Sequence, residues 1–214
     1  MKQPYKLKDG SIVPGCTTIC NMLDKPQLID WAWKLGKQGK DWRTERDSAG
    51  DIGTLAHKMI TDYWKVIYEH KNIADDYHAT NYEQGTLAFA CYQKFLKWQE
   101  AQDQVHPVMV EYPLVSEKLK FGGTPDFVGH INGKATILDV KTSNGIYDSH
   151  WLQLAGYWLL LRENGYPVDT VQILWLPKDN RFDDPIRTDL RREKRIFKYL
   201  LSIYRERKAN EPPF

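Results

Sequence analysis

The chain has little cysteine and almost no net charge. Its 214 residues include three cysteines, Cys16, Cys20 and Cys91. They form no set of pairs and no Cys-x-x-Cys, which excludes a disulfide framework and fits a reduced, cytoplasmic setting. Long apolar runs are also missing. The most apolar window, Trp151 to Leu161, is interrupted by Gln153 and is too short to span a bilayer, so no membrane association is expected. The opening Met1-Lys2-Gln3-Pro4-Tyr5-Lys6 carries no apolar segment, and no secretory signal is expected. Neither a repeat, a low-complexity tract nor a linker is visible, and a single domain over 1–214 is expected. The formal charge of +2 is too small to argue for nucleic-acid binding by itself.

The distribution of charge says more than its sum. Residues 187–208 hold nine Lys/Arg against three acids, with Arg191, Arg192 and Arg195 close together, as on a basic terminal helix. Three of the eight tryptophans fall in Trp31–Trp42, and Trp31, Trp33 and Trp42 interleave with Lys34, Lys37, Lys40, Arg43 and Arg46. Aromatics beside cations suit a single-strand path, with stacking surfaces for bases and charges for phosphates. The same pattern also suits tryptophan core anchors on helices with a solvated basic face.

Periodicity divides the rest of the chain. Residues 5–15 read as a hairpin turning at Asp9-Gly10. Thr17 and Thr18 read as caps of a short helix through Leu23, and a second helix runs from Gln27 to Lys37 with Leu28, Trp31, Ala32 and Leu35 as its stripe. This helical lead-in occupies 1–47. A long helix is expected from Ser48 to His70, with His57 near its start; taken alone, such a histidine is a packed or surface residue. A loop with Asn72, Asp75 and Asp76 leads to a helix from Tyr82 to Gln104. Strands follow over Pro107–Val115, Phe121–Ile131 and Ala135–Thr142. Then come a helix from Ser149 to Asn164 ended by Gly165, a buried strand Thr170–Leu176, a turn-rich loop Pro177–Asp184 and the terminal helix from Thr188 to Lys208.

Asn132-Gly133, between the second and third strands, is a strong two-residue hairpin signal. Asp126 is placed on the first arm, and Asp139 and Lys141 on the second. Alternation puts Asp139 and Lys141 on one face, their Cα atoms about 6.6 Å apart, and turns Val140 into the core. Phe127, Val128, Leu138 and Val140 make both strands look central, and a charge buried there needs a partner or a metal.

Four motifs occur in order: Gly53-Thr54-x-x-His57, Gly123-Thr124-Pro125-Asp126, Asp139-Val140-Lys141 and Gln153-Leu154-Ala155-Gly156-Tyr157. Together they resemble the PD-(D/E)xK nuclease superfamily, in its RecB-like and phage-exonuclease branch, over roughly residues 48–177. The resemblance implies an α/β fold with a restriction-endonuclease-like core of helix, three antiparallel strands, helix and strand, with added N- and C-terminal helices.

Phosphodiester hydrolysis needs a nucleophilic water and stabilisation of charge on phosphoryl and leaving oxygens, both of which a bound Mg²⁺ or Mn²⁺ supplies. Asp126 and Asp139 are hard oxygen ligands of the right kind. The resemblance adds His57 and the Val140 carbonyl as ligands, and implies that Lys141 orients or helps deprotonate the attacking water. Gln153 and Tyr157 share a helix face; the resemblance gives them a role in orienting the site or contacting the DNA backbone, and the alternative is a hydrogen-bonded buried pair. Glu111 reads as an extra acid near the metal or, the preferred reading, as a partner of Lys118 or Lys120. His106, His130 and His150 match no motif and are left as surface or structural residues. Some members of the resembled branch hold an iron–sulfur cluster on four cysteines, one before the core and three after it; with three cysteines in all and none after Cys91, no such cluster is expected.

The expected protein is a stand-alone, metal-dependent DNA exonuclease of phage or prophage origin. It would act on single- or double-stranded ends, leave 5′-phosphates and 3′-hydroxyls, and work with a single-strand annealing protein in recombination or replication-end processing. A restriction-type or structure-specific endonuclease and a non-catalytic DNA-binding protein on the same fold are the rival expectations. Polarity and oligomeric state are left open, and the basic terminal helix grips either DNA or a neighbouring subunit.

Overall fold

Asn132 and Gly133 both take positive φ, 50° and 78°. That is the backbone a two-residue hairpin matching the strand twist demands, and the chain reverses there as the sequence predicts. The computed structural model describes residues 3–69 and 82–209. The first part holds β1 (Tyr5–Lys6), β2 (Ile12–Val13), α1 (Cys16–Cys20), α2 (Pro26–Lys37) and α3 (Trp42–Glu69). The second opens with α4 (Tyr82–Glu100), followed by β3 (Val105–Val110), β4 (Leu114–Ser116), β5 (Phe121–Gly123), β6 (Phe127–Ile131) and β7 (Lys134–Lys141). It closes with α5 (Asp148–Glu163), β8 (Thr170–Trp175), β9 (Ile186–Arg187) and α6 (Arg191–Ala209).

The main sheet has the order β3-β6-β7-β8-β9. Strands β3, β6 and β7 are antiparallel, whereas β8 runs parallel to β7 after the crossover through α5. This is the restriction-endonuclease-like core: helix, three antiparallel strands, helix, strand. Period-two alternation along β7 feeds two cores. Leu138 and Val140 join Ile60, Trp64 and Phe95 of α3 and α4 on one face. Ile137 joins Ile19, Leu154 and Phe197 of α1, α5 and α6 on the other. Asp139 and Lys141, in step with Ile137, therefore belong to the α5 side, and Val140 points into the α3–α4 core as expected.

Several local expectations need correction. The strand expected over Pro107–Val115 ends at Val110, because Glu111 takes φ 48° and redirects the chain into the separate β4–β5 pair. The strand expected over Phe121–Ile131 divides into β5 and β6. Pro125, with no N–H to give a ladder, sits in the break, and Asp126 stands just ahead of β6 instead of on a strand. Gly15, not Thr17 or Thr18, is the N-cap of α1, which is a single turn. Helix α3 begins at Trp42, well ahead of Ser48, and α4 stops at Glu100 before Gln104. Helix α2 has no buried residue, so its apolar stripe is not a core face. His70, Asn72, Asp75 and Asp76 lie outside the described residues. Among the described residues, no helix is long and apolar enough to cross a membrane.

Candidate active site

Gly53 brings α3 to the end of β7. A Cβ at this position would lie 2.9 Å from Oγ1 of Thr142, the residue after Lys141. One helical turn on, along the same face, comes His57. Its Nδ1 is 3.4 Å from Oδ2 of Asp126, and that same oxygen accepts the Val140 N–H at 2.8 Å. The reason is the register. Pairing of β6 with β7 begins at Phe127↔Leu138, so Val140 has no strand neighbour on that edge and the Asp126 carboxylate takes its place. A residue's N–H and C=O face the same edge of an antiparallel strand, so the Val140 carbonyl opens toward the same space. On the α5 side of β7, Asp139 and Lys141 form an ion pair.

Burial dominates the electrostatics. The Asp139 side chain is 1% exposed, and burial, opposed by Lys141 and reinforced by Asp126, pushes its carboxyl group up to about 6. Burial works the same way on Asp126, but His57, Lys141 and the Val140 N–H outweigh it and hold that carboxyl below the usual range. For His57, burial disfavours the cation, yet Asp126 prevails and the imidazole is held above its ordinary value. Lys141 is likewise raised, burial being overcome by Asp139 and then Asp126, so it is an ammonium at neutral pH.

Asp139 Oδ2 is buried against the Lys141 ammonium, which is its ionic partner. Among the described residues, no three His, Cys, Asp or Glu side chains form a ready-made ligand set, because the carboxylates are drawn to His57 and Lys141. The donor chemistry nonetheless fits a hard divalent cation. Two carboxylates and an imidazole act on one another electrostatically beside the Val140 carbonyl, and one of the carboxylates is buried in the other's field with an ammonium as its counter-charge.

Around this cluster, Gln153 Nε2 donates to Tyr157 Oη at 2.7 Å, so the hydrogen-bonded pair allowed by the sequence is present. Burial, followed by Cys16, Asp139 and Asp126, holds the Tyr157 hydroxyl well above its usual value and keeps it protonated. The Cys16 thiol donates to the Gln153 carbonyl at 3.4 Å. Glu111 corrects the preferred reading of the sequence: its partner is Lys65 of α3, at 2.5 Å, in place of Lys118 or Lys120. Its backbone N–H donates to the Asp126 carbonyl at 3.1 Å, so Glu111 does border the site.

The cationic residues have their contacts with other residues than those of the cluster. Lys37 stacks over Trp33 on the exposed face of α2, 3.9 Å from the ring centroid, while Lys34 pairs with Asp30. Arg43 lies over Trp42. Arg191 is held by Asp189 and Arg192 is 3.8 Å from Glu193, and both are exposed, as is Arg195.

Two further residues border the neighbourhood, Tyr5, which the sequence reading passed over, and His150, which it left as surface or structural. Tyr5 Oη is 2.8 Å from Thr124 Oγ1, beside Pro125-Asp126. His150 accepts the Tyr147 N–H on Nδ1 at 3.3 Å, and burial, then Lys141 and Lys25, push it down to about 3, a neutral imidazole. The only sequence signal for His150 was its place at the start of α5, and for Tyr5, separated from Thr124 by 119 residues, there was none.

A family model of the PD-(D/E)XK nuclease superfamily matches residues 30–210. No curated protein matches the chain in sequence. Among solved structures, that of SSO0001 is similar over 100% of this chain and 81% of its own, at 12% identity and TM-score 0.47. One titled "Putative exonuclease", from Eubacterium rectale, is similar over 74% of this chain at 10% identity and TM-score 0.47; the chain spans 66% of that protein's length.

Proposed function

The chain belongs to the PD-(D/E)XK nuclease superfamily, and on that premise we propose that it is a divalent-cation-dependent exonuclease that hydrolyses DNA phosphodiester bonds from an end. The observation that carries the reading is that the His57–Asp126 pair and the buried Asp139–Lys141 pair lie close enough at the end of β7 for each to act on the other electrostatically. Asp126, Asp139, His57 and the Val140 carbonyl are the proposed ligands of Mg²⁺ or Mn²⁺. When bound, the cation supplies charge to the phosphoryl oxygens and makes a nucleophile available at neutral pH.

The chain's own residues do the rest. Lys141 is cationic at neutral pH, so it acts as a donor that orients the attacking water and balances charge in the transition state, in preference to acting as a base. After their mutual hydrogen bond, Gln153 keeps an N–H and its oxygen, and Tyr157 its O–H, for the DNA backbone. Trp33, Lys34, Lys37 and Arg43 on one side and Arg191, Arg192 and Arg195 on the other are the proposed DNA path. Processing of recombination or replication ends beside a single-strand annealing protein is the setting we assign.

The test uses 5′- and 3′-end-labelled oligonucleotides, single- and double-stranded, incubated with Mg²⁺, Mn²⁺ or EDTA. Metal-dependent release of nucleotides from one end is the expected result and gives the polarity. Discrete internal cuts would overturn the exonuclease, and intact DNA with clear band retardation would overturn catalysis.

A further inference from the structure

Tyr157 takes part in two settings. Its hydroxyl is tied to Gln153, and the residue also lines a groove of about 740 Å³. Gly123, immediately ahead of Thr124-Pro125-Asp126, lies beside it. One side of the groove is Tyr5 and Pro14 from the β1–β2 hairpin, with Thr17 and Thr18 at the start of α1. Tyr204 and Lys208, from the last turns of α6, complete the lining.

Glycines permit this construction. A Cβ at Gly122 would lie 2.3 Å from the Tyr5 ring, and one at Gly123 would lie 2.7 Å from the Tyr157 ring. The Gly122 N–H donates to the Pro14 carbonyl at 2.9 Å, stitching the hairpin to β5. Tyr5 Oη, bonded to Thr124, ties the same wall to the loop that carries Asp126.

The lining has the chemistry of a nucleotide. Flat tyrosine and proline surfaces offer stacking to a base, the threonine hydroxyls offer hydrogen bonds to its edge, and the Lys208 ammonium at the rim suits a phosphate. The volume falls within the roughly 300–1,000 Å³ typical of small-ligand sites. Continuity with the catalytic loop, through Tyr157 and Tyr5, favours the substrate strand itself as occupant. We propose that this groove is a nucleobase subsite, which takes an unpaired base of the substrate strand near the scissile phosphate and stacks it against Tyr204. The inference rests on the proposed nuclease function and names what that function requires of its substrate: a locally single-stranded segment.

The test is hydrolysis of oligonucleotides that carry a tetrahydrofuran abasic residue at successive positions from the scissile bond. With wild-type protein, one or two positions raise KM on the order of tenfold, the size of one lost base–aromatic stack, and leave kcat unchanged. Tyr204→Ala raises KM on intact DNA and flattens the profile, whereas Tyr204→Phe preserves it. A flat wild-type profile on DNA that is otherwise hydrolysed would overturn the subsite alone, as would a profile that Tyr204→Ala leaves unchanged. Absence of hydrolysis on every substrate would overturn the nuclease reading and the subsite with it.

Discussion

Asp139 is 1% exposed, and burial lifts its carboxyl group to about 6 against the pull of Lys141. Between about pH 4 and 6 the folded protein therefore holds a proton that the unfolded chain has released. The sign follows from linkage: stability of the metal-free protein falls as pH rises through this window. A cation needs the deprotonated carboxylate, so protons compete with it. The Mg²⁺ or Mn²⁺ concentration at half-maximal thermal stabilisation should rise as pH falls below about 6, and equal midpoints at pH 5.5 and 8 would remove that account of Asp139. Lys141→Ala should lower kcat about 10²–10³-fold, as loss of one preorganised donor does, with DNA binding retained in a gel-shift assay. These residues were legible because short-range spacing fixes them: Asp139-x-Lys141 shares a face wherever it forms a strand. Glu111 was not, since its partner Lys65 lies 46 positions away on a helix the local pattern cannot place. His150, left as a surface or structural residue, is a helix-capping partner of the Tyr147 N–H.

The elements that carry the site were read best where turn chemistry spoke. Asn132-Gly133 announced the β6–β7 hairpin, and both residues occupy left-handed backbone. Gly133→Ala should cost about 1–2 kcal/mol of stability, read in urea denaturation, while kcat at low temperature is unchanged. Strand breaks were harder. The break at Pro125 had a signal, a residue that cannot donate to the ladder, but the apolar run across it masked the interruption. Nothing local forces Glu111 into positive φ. The link between α3 and β7 is carried by Gly53, where a methyl group would press on Thr142. Gly53→Ala should shift α3, move His57 from Asp126 and weaken cation affinity more than it lowers the melting temperature. Unchanged affinity in calorimetric titration would show that His57 is not held this way.

Across the whole molecule, two amphipathic helices had faces but no partners in the sequence. Periodicity tells which residues share a side, not what lies against them, and so the α2 stripe was open to a core or a solvent-facing reading, while in the fold Trp31, Ala32 and Leu35 are only half-buried. Helix α6 does bury a face, through Phe197 and Leu201, and leaves Arg191, Arg192 and Arg195 in solvent. Replacing these three arginines with alanine should reduce the salt slope of DNA binding by about two to three units if each neutralises a phosphate; an unchanged slope would remove α6 from the DNA path. The central claim is that His57, Asp126, Asp139 and Lys141 form a cation-dependent hydrolytic centre. Its most direct test is a titration of Mg²⁺ and of Mn²⁺ into EDTA-stripped wild-type protein and Asp139→Ala, with release of labelled nucleotides from DNA as the readout. The account predicts saturable activation of the wild type, no activation of Asp139→Ala, and DNA binding by both. Hydrolysis without a cation, or equal activation of the two proteins, would contradict it.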